Sequence, residues 1–166
     1  MGKVASLLIM ALVVHSVAFA GRAAPNLTKN ELQAINQIIK SIEDCDPKRP
    51  GESVCEVGNE RIFLTGVVGD RGRQCVVVQF TVEAGNAEYQ YLLVLERPTL
   101  KRFGPLRIGG RGYRHIEIQK IENGLIRAKV QWYGPKDSLA VPSVPGESSF
   151  SIDFSGLIER YSVVGE

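Results

Sequence analysis

Apolar residues alternate with polar residues along most of this chain, and this period of two constrains the fold more than any other feature. From Arg61 onward the alternation recurs in short runs, which glycine, asparagine, aspartate and proline separate. Successive side chains of a β-strand point to opposite faces, so such runs indicate strands that bury one face. About seven strands are predicted, at 61–68, 75–82, 89–96, 113–121, 125–133, 149–154 and 157–164.

One segment near the N-terminus has the period of a helix instead. Thr28 and Glu31 have the spacing of a capping box, in which each side chain accepts a hydrogen bond from the other residue's backbone N–H. Apolar residues then recur every three or four positions up to Pro47 and form one stripe. They are Leu32, Ile35, Ile38, Ile39 and Ile42. The predicted class is therefore α+β, with one N-terminal amphipathic helix packed on a curved, mainly antiparallel, meander-like β-sheet.

The hairpin around Asn123-Gly124 allows its register to be predicted. A two-residue loop would place Ile118 opposite Lys129. A three-residue loop closed by Gly124 in the left-handed region places Ile118 opposite Ala128 instead. We predict the three-residue loop, because a strand with one buried face pairs its apolar residues with one another.

The first twenty residues have the pattern of a secretory signal. Lys3 supplies the positive charge, residues 4–14 the apolar core, and Ala18-Phe19-Ala20 the small residues at the −3 and −1 positions, Ala18 and Ala20, before the cleavage site. We predict a signal peptide at 1–20 and a single α+β domain at 21–166, secreted or periplasmic. The apolar run is shorter than the roughly 20 residues that span a bilayer, so no transmembrane segment is predicted.

Three cysteines, Cys45, Cys55 and Cys75, would then lie in an oxidising compartment. We predict a disulfide between Cys45 and Cys55, which bracket a segment rich in turn residues. Cys75 begins an apolar run and is expected to be a buried free thiol, although a bridge from Cys75 to either other cysteine remains open. No C-x-x-C spacing is present, so neither a metal site nor any cofactor is predicted.

The chain lacks the usual constellations of catalytic residues. Of its two histidines, His15 lies in the signal segment and only His115 remains. The common motifs of serine hydrolases, nucleotide-binding loops and zinc proteases are missing, so we predict no catalytic residue and a non-enzymatic protein. His115 alternates with isoleucines and is expected on a polar face. The alternative is a thiol- or hydrolase-type enzyme that uses Cys75 as nucleophile and His115 as base.

Positive charge is concentrated in one segment, although the chain as a whole is nearly balanced. The chain has 20 Lys and Arg residues against 18 Asp and Glu, which argues against a nucleic-acid partner. Between residues 97 and 114, six basic residues occur without an acidic one. They are Arg97, Lys101, Arg102, Arg107, Arg111 and Arg114. We predict that this segment is a flexible loop that binds a protein or an anionic envelope component, the alternative being a solvated connection.

Three parts of the chain resemble a group of small exported bacterial proteins that bring no known activity. They are 76–83 continuing to 89–94, then 110–114, then 121–124 continuing to 133–137 and Pro142-Ser143. The resemblance implies an exported bacterial protein. The chain departs from the group at Ala140-Val141, where members carry a Cys-Cys pair, and at 69–74, where they carry an acidic, calcium-like loop. In this chain, residues 69–74 contain one carboxylate, Asp70. One carboxylate is not enough to bind a calcium ion, which takes roughly 6 to 8 oxygen ligands.

Overall fold

The computed structural model describes residues 26–42, 56–84, 87–138 and 141–164. Within these residues one helix is followed by eight strands, and each strand pairs antiparallel with the next one along the chain. The elements are α1 (Lys29–Lys40), β1 (Glu56–Val68), β2 (Arg73–Ala84), β3 (Ala87–Glu96), β4 (Arg102–Gly110), β5 (Arg114–Glu122), β6 (Leu125–Trp132), β7 (Val144–Ile152) and β8 (Leu157–Val164). The α+β class and the mainly antiparallel sheet are confirmed, and the sheet is open.

Helix α1 begins at the predicted capping box. The backbone N–H of Glu31 donates to Thr28 Oγ1 at 3.2 Å, and the backbone N–H of Thr28 donates to Glu31 Oε2 at 2.7 Å. Ile35 and Ile39 are buried, as the apolar stripe predicts, but Leu32 is 39% exposed. The Glu31 side chain is buried instead, because it binds Arg97, which lies in the turn directly after β3.

Strand β4 corrects the prediction that residues 97–114 form a flexible loop. The strand was missed because glycine and proline break its alternation and because its pairing with β3 is interrupted twice by bulges. Gly110, its last residue, has φ +138°, and a Cβ at this position would collide with the carbonyl oxygen of Glu88. Only glycine fits this close approach, so a residue that suggests a loop in the sequence ends a strand here.

The β5–β6 hairpin has the predicted register with a different loop. Asn123 and Gly124 have φ values of +52° and +74° and form a two-residue turn between Glu122 and Leu125. The predicted three-residue loop is therefore wrong. Ile118 nevertheless pairs with Ala128, because the ladder shifts by one residue between Ile118 and Lys120. The extra residue is a bulge inside β5 instead of a third loop residue.

The sheet consists of two halves, β1–β4 and β5–β8, which are joined by one ladder pair, Gly110 with Arg114. Both halves contribute to one buried apolar cluster, and we call the faces that line it the inner faces. Its members are Val68, Cys75, Val77, Leu92, Val94, Phe103, Ile108, Ile116, Ile118, Ile126, Ala128, Val130, Phe150, Ile152 and Leu157.

A second apolar cluster lies on the opposite face of the first half, which we call the helix-side face. Its buried members are Ile35, Ile39, Ile42, Val76, Val78, Phe80, Val82, Tyr91, Leu93 and Leu95. Strand β2 contributes to both clusters and is buried on both faces, because its continuous apolar run places apolar side chains on each face.

The turn between β7 and β8 corrects the predicted strand at 149–154. Strand β7 ends at Ile152, and the Asp153 carboxylate then accepts hydrogen bonds from the backbone N–H groups of Ser155 and Gly156 at 2.7 and 3.2 Å. Phe154 lies at the tip of this turn and is 93% exposed.

Three predictions fall on residues that the structure does not describe. These are the signal peptide at 1–20, the Cys45–Cys55 disulfide, and the cleavage that would begin the domain at residue 21. In the described part of the chain, no helix has both the length and the apolar character needed to cross a membrane.

Candidate functional site

Arg97, the first of the six predicted basic residues, is bound to the helix. Its Nε donates to Glu31 Oε1 at 2.6 Å, and its Nη2 donates to Glu31 Oε2 and to the carbonyl oxygen of Asn26 at 3.1 Å each. Burial raises the pKa of Glu31, but hydrogen bonds from Arg97 and Thr28 outweigh burial and lower it below its ordinary value. The Arg97 guanidinium therefore serves an internal carboxylate.

Arg114, the last of the six, lies between the two halves of the sheet and is 2% exposed. Its Nε donates to the carbonyl oxygen of Ile108 at 2.6 Å, and its Nη1 and Nη2 donate to the two Glu159 oxygens at 2.8 Å each. The rings of Tyr113 and Trp132 lie 4.8 and 5.0 Å from its Cζ. Arg114 thus connects β4, β5 and β8 inside the protein and is not on the surface.

The carboxylate of Glu159 is held in its charged form by this network. Burial raises the pKa of Glu159. Hydrogen bonds from Arg114 and from the hydroxyl of Ser148 lower the pKa by more than burial raises it, so the pKa lies below its ordinary value. The Arg114–Glu159 pair is bidentate, a geometry that suits the planar guanidinium.

Three other predicted residues, Lys101, Arg102 and Arg107, lie on β4 or directly before it, and we call them the β4 cations. All three are exposed, and none forms an ion pair with a described residue. Lys101 Nζ lies 5.3 Å from the centre of the Phe103 ring, and Arg107 Cζ lies 4.1 Å from the centre of the Tyr89 ring. These contacts restrict two of the three cations without neutralising them.

Arg111, the remaining predicted residue, follows β4 in the turn to β5. It is exposed, and its backbone N–H donates to the carbonyl oxygen of Glu88 at 3.0 Å. The structure therefore divides the predicted segment into two ion-paired arginines at its ends and exposed basic residues between them.

Arg73 is a basic residue that the sequence did not single out. Its Cζ lies 5.3 Å from the centre of the Phe103 ring, on which Lys101 also lies. Its Nε is 3.8 Å from Glu96 Oε1, and its buried Nη1 has no hydrogen-bond acceptor among the described residues. Only the pairing of β2, β3 and β4 brings Arg73 to this place, so no sequence pattern could have identified it.

Cys75 and His115, the two residues of the predicted enzyme alternative, have different environments. Cys75 is free and 0% exposed, as predicted, and its Sγ donates to the carbonyl oxygen of Arg73 at 3.4 Å. Burial raises the pKa of Cys75 to about 11, so the thiol is protonated at neutral pH. His115 is exposed on β5, as its alternation predicts, with Nδ1 3.1 Å from Gln90 Nε2.

Two buried glutamines form hydrogen bonds with backbone groups on the edge of β5 that does not pair with β6. Gln79 Nε2 donates to the carbonyl oxygen of Ile116 at 2.6 Å, and Gln79 Oε1 accepts from the backbone N–H of Ile118 at 2.7 Å. Gln90 Oε1 accepts from the backbone N–H of Ile116 at 2.8 Å. These polar residues replace a strand at the contact between the halves and are structural.

One of the segments that carry the resemblance to exported bacterial proteins has a structural role. It contains Gly134, Asp137 and Ser143. The Asp137 carboxylate accepts hydrogen bonds from the backbone N–H of Gly134 at 2.7 Å and from the backbone N–H of Ser143 at 2.8 Å. These bonds, with one from the Ser143 hydroxyl, lower the pKa of Asp137. The motif closes the β6–β7 connection, so its residues do not by themselves indicate a ligand.

The described residues hold no cluster suited to a metal ion, and comparisons with known proteins identify no relative. Within the described ranges, no group of three or more His, Cys, Asp and Glu side chains is arranged to hold a metal ion. No protein family, curated protein or solved structure matches the chain. The fold defines an α+β protein with an open antiparallel meander, and the β4 cations are its candidate site.

Proposed function

We propose that this protein is an exported, non-enzymatic binding protein that takes an anionic partner, either an envelope component or an acidic protein surface, on its β4 cations. One observation carries this proposal. Lys101, Arg102 and Arg107 remain exposed and without an ion pair among the described residues, while Arg97 and Arg114 of the same segment are neutralised by glutamates.

The strand environment of the β4 cations supports binding. A flexible loop would lose conformational entropy when it meets a ligand, whereas a strand is already ordered. Strand β4 pairs with β3, and the rings of Phe103 and Tyr89 hold two of the cations. With α1 packed on the helix-side face, the fold therefore holds the backbone of β4 and two of the three cationic side chains in place.

The test replaces the β4 cations and compares the result with a matched loss of charge elsewhere. The variant Lys101→Ser/Arg102→Ser/Arg107→Ser is expected to bind immobilised heparin and lipopolysaccharide about tenfold more weakly, because three exposed charge contacts contribute about 0.5 kcal/mol each. The control Lys40→Ser/Lys129→Ser/Lys136→Ser removes three exposed positive charges elsewhere. Equal binding by both variants, or binding that does not weaken with salt, would contradict the proposal.

The alternative function, a thiol- or hydrolase-type enzyme using Cys75 and His115, has a simple test. A nucleophilic thiol must be accessible and ionised, and Cys75 is buried with a raised pKa. We expect Cys75 of the native protein to resist iodoacetamide and to react after denaturation. Rapid alkylation of the native protein would favour the enzyme.

Export and the disulfide are tested together by the intact mass of the protein recovered without reduction. Cleavage after Ala20 and a mass two hydrogens lower than that of the reduced chain are expected, with peptide mapping assigning the bridge to Cys45 and Cys55. A retained N-terminus would contradict the export part of the proposal.

A further inference from the structure

We infer that the ligand is a linear, non-peptide polyanion, which Arg102 and Arg107 bind at two separate points along β4. The inference rests on the proposed function and names the ligand class of the same site. It follows from the face on which these arginines lie, from their spacing, and from the state of the β4 edge.

Arg102 and Arg107 share the helix-side face of the sheet. Arg102 pairs directly with Leu95, which belongs to the helix-side cluster. Arg107 pairs with Tyr91 of the same cluster, and its guanidinium lies over Tyr89, which also packs there. Directly paired residues of an antiparallel ladder point to the same face, so both guanidinium groups are presented on one side.

The spacing of the two arginines exceeds the size of a single small anion. Their partners on β3, Leu95 and Tyr91, are four residues apart. A strand rises about 3.3 Å per residue, so the two positions are separated by about 13 Å along the strand. The Arg107 guanidinium lies over the ring of Tyr89, which is two residues beyond Tyr91 and farther from Leu95, so this side chain extends away from Arg102. A single phosphate or sulfate group therefore cannot bridge the two arginines, whereas a chain with repeated anionic groups can.

The helix-side face of β3 and β4 carries no competing carboxylate within the described residues. The two acidic residues nearest these arginines on β3, Glu88 and Glu96, alternate with Tyr89 and Leu95 and therefore point to the opposite face. Glu31 of α1 reaches this face, but Arg97 neutralises it. An anionic chain along β4 would therefore meet positive charge without repulsion from a neighbouring acid.

The edge of β4 that faces away from β3 is unsuitable for an acidic peptide that would bind by pairing with β4 as an additional strand. Such peptides gain much of their affinity from backbone hydrogen bonds at a free sheet edge. Pro105 lacks an N–H, the carbonyl oxygen of Ile108 is occupied by Arg114, and a Cβ on Gly104 would lie 3.3 Å from Leu157 Cδ2 of β8. Recognition is therefore left to side-chain charge, which suits a sulfated or phosphorylated polymer.

The experiment measures affinity against ligand length, using sulfate ion, heparin fragments of increasing length and, at matched charge, polyglutamate. For the wild type we expect a step of about tenfold or more once the fragment is longer than about 13 Å, because the second contact then becomes intramolecular. Arg102→Ser and Arg107→Ser should each abolish the step and change the binding of the shortest fragments less than twofold. Lys129→Ser, which removes an exposed charge on β6, should retain the step.

The possible outcomes separate this inference from the proposed function. A smooth rise of affinity with charge, or a step that survives either arginine substitution, would overturn the two-point contact while β4 remains an anion-binding surface. Tighter binding of polyglutamate than of heparin at equal charge would indicate an acidic protein partner and overturn the polymer. If no heparin fragment binds at any length, both the inference and the heparin-binding surface fail.

Discussion

Two arginine–glutamate pairs, Arg97–Glu31 and Arg114–Glu159, come from the two ends of the same basic segment and bury opposite partners. In the first pair the Glu31 side chain is 5% exposed and that of Arg97 is 32% exposed. In the second pair the Arg114 side chain is 2% exposed and that of Glu159 is 29% exposed. The first pair connects α1 to the turn between β3 and β4, and the second connects the two halves of the sheet.

The difference determines how much each pair tolerates damage. A buried carboxylate that loses its partner can take up a proton and become neutral, whereas arginine cannot lose its proton in a protein. Glu31 also accepts the backbone N–H of Thr28 and lies in the first turn of a helix, where negative charge is stabilised. Arg114 depends on Glu159 for its counter-charge, so the second pair should be the more sensitive one.

The largest effect is expected for Glu159→Gln. The substitution leaves the Arg114 cation buried without a counter-charge and should lower the free energy of unfolding by about 3 kcal/mol, measured by urea denaturation. The double variant Arg114→Met/Glu159→Leu is the control, because it removes both charges and should lose less than the single variant. A loss below about 1 kcal/mol for Glu159→Gln would show that the two pairs do not differ as proposed.

A smaller effect is expected for Arg97→Met. The free energy of unfolding should fall by about 1.5 kcal/mol, because Glu31 keeps its bond to Thr28 and is able to protonate. The pKa of Glu31, followed by NMR titration, should rise in this variant because Arg97 lowers it in the wild type. A loss as large as that of Glu159→Gln would contradict the comparison.

Acid should also lower the free energy of unfolding of the wild type, because it weakens both pairs. We expect this loss to be smaller than the loss caused by either substitution. The pKa values of Glu31 and Glu159 are lowered in the folded protein from their ordinary value of 4.5. The unfolded chain therefore binds more protons as the pH falls below about 4.5, and the free energy of unfolding falls with it. Urea midpoints measured from neutral pH downward should show this decline, and it should flatten in Arg97→Met/Glu159→Gln. An unchanged slope in that variant would assign the decline to other carboxylates.

The smallest effect is expected for Arg102→Ser, a substitution in the same basic segment. Arg102 is exposed and has no ion pair among the described residues, so the free energy of unfolding should change by no more than about 0.5 kcal/mol. The same variant should weaken polyanion binding. This combination would separate the residues of the segment that stabilise the fold from those available to a ligand, and a large loss of stability would contradict the division.

The hairpin of β5 and β6 shows how far local pattern predicts this fold. The pairing of Ile118 with Ala128 followed from the need to bury apolar residues on one face. The loop length did not follow, because one extra residue can be accommodated in a turn or in a bulge, and local sequence does not distinguish the two. Strand β4 was missed for a related reason, since its glycine and proline residues suggest a loop unless the neighbouring strand is known.

The candidate site was predictable in composition and not in arrangement. The sequence showed six basic residues in one segment, but the glutamates that bind two of them lie 66 residues earlier, for Arg97, and 45 residues later, for Arg114. No local pattern relates positions so far apart. The prediction of a uniformly available basic loop therefore treated Arg97 and Arg114 like Lys101, Arg102 and Arg107.

By itself the sequence determined the capped helix, the antiparallel class of the sheet, the burial of Cys75 and the concentration of positive charge, because each depends on the spacing of neighbouring residues. Tertiary structure decided that β4 is a strand, that Glu31 is buried in the first turn of α1 while Leu32 is exposed, and that Arg114 is a buried contact between the halves. These outcomes depend on what lies opposite each residue after folding. A charge buried beside its counter-charge and a charge left in solvent look the same in the sequence, and only the fold distinguishes them.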